Sequence, residues 1–192
     1  VGSLAAASVA GLKDLSIETT QVASMMKQVS SGSVAALGLA GLTGSAINTA
    51  LQSITSESLS AVNQNGFSTD AVKESEGAIA GGAVGALTLA GVSQQELSSS
   101  TMVSQIMSST MEGLSASGID GAGIASIMGS VVGQTIASLG EAGIESTEIK
   151  QGVMSNIISG VMTSFQASGI SDTATLSSAI QNLSKGASES LA

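Results

Sequence analysis

The stretch Ala90-Gly91-Val92-Ser93-Gln94-Gln95-Glu96 contains the end of one helix and the beginning of the next. A glycine just after a helix supplies the left-handed conformation that closes the last carbonyls, and the apolar residue behind it packs on the final turn. Ser93, followed three residues later by Glu96, forms a capping box in which each residue satisfies a backbone N–H group of the other. These seven residues therefore predict a helix stop and a helix start with almost no loop between them.

The same junction recurs along the chain at nearly constant intervals. Its glycines are Gly41, Gly66, Gly91, Gly118, Gly143 and Gly169. The steps between them are 25, 25, 27, 25 and 26 residues. After the apolar residue comes a candidate N-cap: Thr43, Ser68, Ser93, Asp120, Glu145 (where Ser146 would serve) or Ser171. Acidic residues in first turns, which the helix dipole favours, are Glu18, Asp70, Glu96, Asp120, Glu148 and Asp172.

Between the junctions, apolar residues keep the period of an amphipathic helix. In 146–167 the stripe is Ile149, Val153, Ile157, Val161 and Phe165. The predicted helices are 16–39, 43–64, 68–89, 93–116, 120–141, 146–167 and 171–190, with a partial first helix at 3–10. Short connections between helices about 30 Å long should lay neighbours antiparallel. The sequence therefore predicts an all-α fold, a bundle of about six or seven antiparallel helices from a repeat of about 25 residues, in a single domain over 1–192.

Glycines inside the predicted helices need a separate explanation, because each costs about 1 kcal/mol against alanine. They include Gly81, Gly82, Gly85, Gly129, Gly133 and Gly160. One interpretation is that helix backbones approach each other closely at these positions. The other is that some segments break into shorter pieces, and 77–92 is then the expected place for a break.

Composition excludes several classes of function. The chain has no Cys or His, so it lacks thiolates, the usual general base and the commonest metal ligand. Five basic residues against fourteen acidic ones give a net charge of −9. This balance argues against binding to nucleic acid or to an anionic membrane surface, since both need a cationic face.

Candidate catalytic and metal-binding residues were sought among the remaining side chains. A hydroxyl nucleophile needs an activating base, and Ser184-Lys185 is a neighbouring pair expected by chance in so serine-rich a chain. The closest acidic pairs are Glu74 with Glu76 and Glu145 with Glu148, without the spacing of a calcium loop. We therefore predict no enzyme activity, no catalytic, cofactor-binding or metal-binding residues, and no cofactor.

Three uncharged segments raise the question of a membrane. Gly77, Gly81 and Gly85 form the small-residue pattern of paired membrane helices, within 77–92. Segments 121–140 and 151–171 are long enough to span a bilayer. Both carry polar residues throughout and lack Trp, Tyr or basic anchors at their ends, which favours buried helices of a soluble protein.

The methionines fall mostly in the apolar stripes: Met25, Met26, Met102, Met107, Met111, Met128, Met154 and Met162. They are expected to fill gaps in the core, or to let helices repack between a soluble and an assembled state. The methionines, the short helices rich in Ser, Ala and Gly, and helix junctions such as Gly91-Val92-Ser93 and Gly66-Phe67-Ser68 are together similar to the folded domains of spider silk proteins. The similarity is to aciniform-type repeat units and to the N-terminal assembly domain. The resemblance covers most of the chain without a diagnostic motif. It implies a secreted helical module that is stored in soluble form and assembles into fibre.

The leading hypothesis is a non-enzymatic, extracellular structural module that assembles with itself into an oligomer, fibre or filament. Amphipathic helices with small-residue faces can pack against other copies as they do within one chain. The N-terminus Val1-Gly2-Ser3 is compatible with a processed, secreted chain. If first-turn carboxylates lie at the subunit interface, lowering the pH from 7 to 5 should promote assembly. The alternatives are a membrane-active or pore-forming protein inserting uncharged hairpins from 77–92 or 121–171, and a carrier of an apolar ligand.

Overall fold

The computed structural model describes residues 2–13, 19–42, 45–99, 101–116, 119–144, 146–167 and 169–191. Over these residues the fold is all-α, as predicted, with nine helices. They are α1 (Gly2–Lys13), α2 (Thr19–Leu39), α3 (Ser45–Gln64), α4 (Thr69–Ala86), α5 (Gln94–Ser99), α6 (Met102–Ala116), α7 (Gly121–Glu141), α8 (Thr147–Ala167) and α9 (Thr173–Leu191).

The predicted helix stops are confirmed at five of the six glycines. Gly41, Gly66, Gly91, Gly143 and Gly169 have positive φ angles of 66–87°, and Gly118 lies outside the described residues. At Gly91 the closing bonds run from the Gly91 N–H to the Thr88 carbonyl (3.1 Å) and from the Val92 N–H to the Leu87 carbonyl (3.0 Å). The same pair of bonds closes the helices before Gly41, Gly143 and Gly169. This is the Schellman ending, in which glycine avoids the steric penalty of a left-handed residue.

The helix starts follow the sequence prediction with one change. Ser68 and Asp120 are N-caps, and each side chain accepts a hydrogen bond from the backbone N–H three residues later. At the last helix Asp172, not Ser171, precedes the first helical residue and accepts from the Thr175 N–H at 2.8 Å. A carboxylate at this position satisfies a free N–H group and also meets the positive end of the helix dipole, which a hydroxyl does less well. Thr43 and Glu145 lie outside the described residues.

A helix breaks in a place that the sequence reading did not indicate. The segment 77–92 was the expected site, yet α4 runs unbroken through Gly77, Gly81, Gly82 and Gly85. Instead, the helix predicted at 93–116 is divided into α5 and α6. The side chains of Ser98 and Ser99 both donate to the Gln95 carbonyl, at 2.9 and 2.8 Å. Consecutive hydroxyl residues compete in this way for backbone groups, which explains why the helix ends here.

Each helix packs most closely on the next but one along the chain, with α5 and α6 counted as one broken helix. Two rows result: α1, α3, α5–α6 and α8 form the α1 row, and α2, α4, α7 and α9 form the α2 row. Consecutive helices lie in different rows and touch each other less. The predicted bundle of about six or seven antiparallel helices is not confirmed, because the break and the complete α1 give nine helices among the described residues. Small-residue faces join helices of the same row.

Hydrogen bonds between helices of one row join residues at similar separations in sequence. Ser30 Oγ donates to the Ile79 carbonyl, Asn182 Nδ2 to the Ala125 carbonyl and Asn156 Nδ2 to the Ser98 carbonyl. The separations are 49, 57 and 58 residues. Contacts within single pairs of helices show the direction. Gly77 and Gly85 of α4 face Ser130 and Ser138 of α7, and Gly121 and Gly129 of α7 face Thr175 and Asn182 of α9. Since the partner's number rises as the residue number rises, these helices run parallel, displaced by about two helical segments of the chain.

Glycine makes this packing possible. A methyl group added at Gly82 would lie 2.7 Å from the Lys27 carbonyl oxygen, and one added at Gly129 would lie 2.8 Å from the Asn182 carbonyl oxygen. Gly160 and Ser104 make the corresponding backbone contact in the α1 row. Close backbone approach, the first of the two interpretations of the mid-helix glycines, is thus confirmed at these positions.

The core lies between the rows and is aliphatic. Its largest cluster runs from Val34 to Ala187 and contains Phe165, and a second cluster joins α1 to α4 through Val9, Met26 and Ile79. Of the eight methionines, Met26, Met107, Met111 and Met128 are buried, and the others are half-buried. The methionines therefore fill the core, as their place in the apolar stripes predicted.

Candidate functional site

Of the two acidic pairs singled out from the sequence, the structure describes both members of one, Glu74 with Glu76, and a single member of the other. Glu74 and Glu76 lie two positions apart on α4, so their side chains leave the helix in different directions. Glu76 is 1% exposed and Glu74 is half-buried. Glu148 lies in the first turn of α8, and Glu145 is outside the described residues. Within the described part of the chain, no three acidic, His or Cys residues stand close enough together to hold a metal ion.

The Ser184-Lys185 pair lies on the surface of α9. Lys185 Nζ is 3.9 Å from Glu189 Oε1, and both side chains are about two-thirds exposed or more. A pair so open to water contributes little to stability. Ser184 and Lys185 are adjacent on the helix, so their side chains leave it in different directions.

Three of the predicted first-turn carboxylates, Glu96, Asp120 and Asp172, accept hydrogen bonds at the starts of their helices, and Glu18 lies outside the described residues. Glu96 Oε2 accepts from the Ser93 hydroxyl at 2.6 Å and from the Ser93 N–H at 2.9 Å, which confirms the predicted capping box. These two bonds, the side-chain bond first, lower the pKa of Glu96 below its ordinary value of 4.5. Hydrogen bonds from Thr175 lower the pKa of Asp172 below 3.8 in the same way. Both groups stay ionised from pH 7 to pH 5, so neither can supply the pH response that the sequence hypothesis placed in this range.

The caps predict how stability changes in acid. A lowered folded-state pKa means that the ionised cap stabilises the fold above the ordinary pKa and that this contribution is lost as pH falls through the lowered value. We expect the contribution of Glu96 and Asp172 to the melting temperature to be constant from pH 7 to 5 and to fall below about pH 4.5. A Glu96→Gln, Asp172→Asn double variant should melt at a lower temperature at pH 7 and lose less on acidification, as followed by circular dichroism. Glu112→Gln, an exposed change within α6, is the control; an acid response of the double variant equal to that of the control would contradict the prediction.

One ion pair connects two helices across a third. Lys27 Nζ of α2 donates to Glu141 Oε2 of α7 at 2.6 Å, over a separation of 114 residues. Below the pair lies a cleft of about 190 Å³ whose floor is formed by Gly82, Gly85 and Ala86 of α4. The buried hydroxyl of Ser138 also lines this cleft and makes no hydrogen bond. This pair could not be predicted from the sequence, since neither Lys27 nor Glu141 lies in a motif.

Two larger grooves lie along the α2 row. One, of about 380 Å³, runs between α7 and α9 over Gly129 and Gly133 and is lined mainly by serine and amide side chains. The other, of about 560 Å³, lies on the outer side of α2 beside Ser8 of α1, and its walls include Val29, Gly32 and Ala36. Lys185 and Glu189 also line the first groove, whereas the second is uncharged and its mostly small side chains suit packing against another helix.

One helix among the described residues, Gly121–Glu141, is long and apolar enough to cross a membrane. Its most apolar 18-residue window is 56% buried in the fold, with Met128, Val132 and Ile136 in the core. Core helices of soluble proteins share this composition, so the observation is weak evidence for a membrane span.

No protein-family model and no curated protein sequence matches this chain.

Proposed function

We propose that this chain is a non-enzymatic structural module that assembles with itself into an oligomer or filament, as an extracellular, silk-like component of a fibre. The observation that carries the proposal is the way helices pack within a row. In the α2 row, helix after helix is joined through a glycine or a small side chain to the backbone of the helix two along. Stacking of this kind has no internal limit, because each added helix presents a surface for the next.

The polar side chains support the same reading. Interfaces within the rows include an amide or hydroxyl that bonds across to the partner helix: Ser30 to α4, Asn156 to α5 and Asn182 to α7. Amide and hydroxyl side chains bond to water when they are exposed and to the partner helix when they are covered. We infer a unit of two helical segments that repeats along the chain, in which consecutive helices are antiparallel. Such a unit would account for the spacing of the junction glycines and for the separations of the bonded residues.

Self-assembly predicts a size that depends on concentration. Sedimentation velocity of the purified chain at neutral pH should show a series of species that shifts to higher mass as the concentration rises. Negative-stain electron microscopy of the same samples should show filaments or discrete oligomers. A chain that stays monomeric at the highest attainable concentration would overturn the proposal.

The second candidate is insertion into membranes, for which the length and composition of α7 are the specific observation. Insertion would require α7 to leave the core, exposing Phe165 and the other residues of the largest cluster to water or lipid. Flotation with neutral liposomes separates the two functions, since an inserting chain rises with the lipid and a structural module stays in the soluble fraction.

A further inference from the structure

The two outermost helices of the α2 row each have a side that no other helix in the described part of the chain covers. We define the N-terminal end face as the outer side of α2 and of the turn that ends it, with Gly32, Ala36 and Ala40. The C-terminal end face is the outer side of α9, with Ser177, Ile180, Ser184 and Ser188. All seven residues are exposed.

The N-terminal end face points away from the row. α2 meets α4 through Lys27 and Ser30, and Gly38 faces Ala90 in the turn after α4. At 100° per residue, Gly32, Ala36 and Ala40 fall on the opposite side of the helix. A methyl group added at Gly32 would meet no atom within 4 Å, whereas one at Gly82 would overlap the neighbouring backbone. The groove of about 560 Å³ lies here, and Gln28 and Ser33 on its walls offer the same amide and hydroxyl donors as the interior interfaces.

The C-terminal end face is opposite the contact that α9 makes with α7. That contact uses Asn182, which bonds to the Ala125 carbonyl at 2.8 Å, and Gly186, which packs on Gly129. On the other side, the serines form a low, uncharged surface from which Ile180 projects with 48% of its surface exposed. The two end faces thus pair a groove with an apolar projection, and neither carries a charge.

We propose that the C-terminal end face of one copy docks on the N-terminal end face of a second copy, so that α9 of the first and α2 of the second become neighbours in a continuous α2 row. The inference rests on the proposed function and specifies its interface. It is carried by continuity with the three interfaces inside the row, α2 with α4, α4 with α7 and α7 with α9, which all join parallel helices through small residues. Because the two faces differ, the contact is heterologous and does not close on itself, so copies add in a line.

Two charge substitutions test the interface from its two sides. Gly32→Lys places an ammonium group on the N-terminal end face, and Ile180→Lys places one on the C-terminal end face. Gly140→Lys is the matched control, since a side chain at Gly140 of the interior helix α7 also meets no atom within 4 Å. All three should keep the helical circular dichroism of the original chain. Each end-face variant should raise the apparent dissociation constant by at least about tenfold, because an unpaired ammonium would be buried in the contact.

Mixing the variants gives the decisive result. Gly32→Lys retains an intact C-terminal end face and Ile180→Lys an intact N-terminal end face, so the mixture should form a one-to-one complex in sedimentation velocity that grows no further. If the unmodified chain assembles and both variants assemble equally well, the interface is wrong while self-assembly stands. If each variant is blocked but the mixture stays monomeric, the head-to-tail arrangement is wrong. If the unmodified chain itself is monomeric, both the interface and the proposed function fail.

Discussion

Replacing Gly81 by alanine is expected to lower the free energy of unfolding by about 2 kcal/mol, although the same replacement in most helices raises it. A methyl group at this position would lie 2.7 Å from the Gln134 carbonyl oxygen and 3.0 Å from Ser138 Oγ. The carbonyl belongs to the backbone of α7 and cannot turn aside as a long side chain would. To accept the methyl group, α4 and α7 must separate, which also weakens the apolar contacts beside them.

The matched control is Gly140→Ala on α7, where the added methyl group meets no atom within 4 Å. There the gain in helix propensity acts alone and should raise the free energy of unfolding by about 1 kcal/mol. Both values come from urea denaturation followed by circular dichroism. Two variants that shift stability by the same amount in the same direction would show that α4 and α7 do not depend on close backbone approach.

Local features of this fold could be predicted from the sequence, and the reason is physical. A glycine at the end of a helix adopts a positive φ because of interactions within six residues, and Gly91 with its capping box at Ser93 and Glu96 behaves as that local rule requires. The break after Ser99 also has a local cause, but other serines make the same kind of bond to the backbone inside unbroken helices. Ser126, for instance, bonds to the Gly123 carbonyl within an unbroken α7.

The arrangement of helices could not be predicted in the same way. A glycine such as Gly82 indicates that some backbone comes close, yet nothing near it in sequence identifies Lys27 as the partner. Short junctions predict only that neighbouring helices lie antiparallel, and they do not indicate that the small-residue faces join helices two along. The cleft below Lys27 and Glu141 depends on that arrangement, so it too lay beyond the sequence. The absence of catalytic residues was a prediction from composition and stays one.

Replacing Phe165 by alanine is expected to lower the free energy of unfolding by about 4 kcal/mol. Phe165 is fully buried and belongs to the largest core cluster. It is the more buried of the chain's two aromatic residues, since Phe67 is half-buried. Its loss would leave a cavity that the surrounding helices can fill only in part. Ile158→Ala on the same helix is the control, because Ile158 is 40% exposed and its truncation removes little buried surface.

The place where Phe165→Ala destabilises the protein is more informative than the total loss in the free energy of unfolding. When helices are stacked in rows, each depends mainly on its neighbours, so a cavity at α8 should weaken α5, α6 and α7 before α1 and α2. The separate core cluster that holds Val9, Val22 and Met26 lies at the far end of the chain and does not include α8. Hydrogen exchange of Phe165→Ala should therefore show faster exchange in 94–191 while α1 and α2 keep more of their protection. Equal loss of protection along the whole chain would mean that the rows act as one cooperative core, and the argument for open-ended stacking would lose its energetic basis.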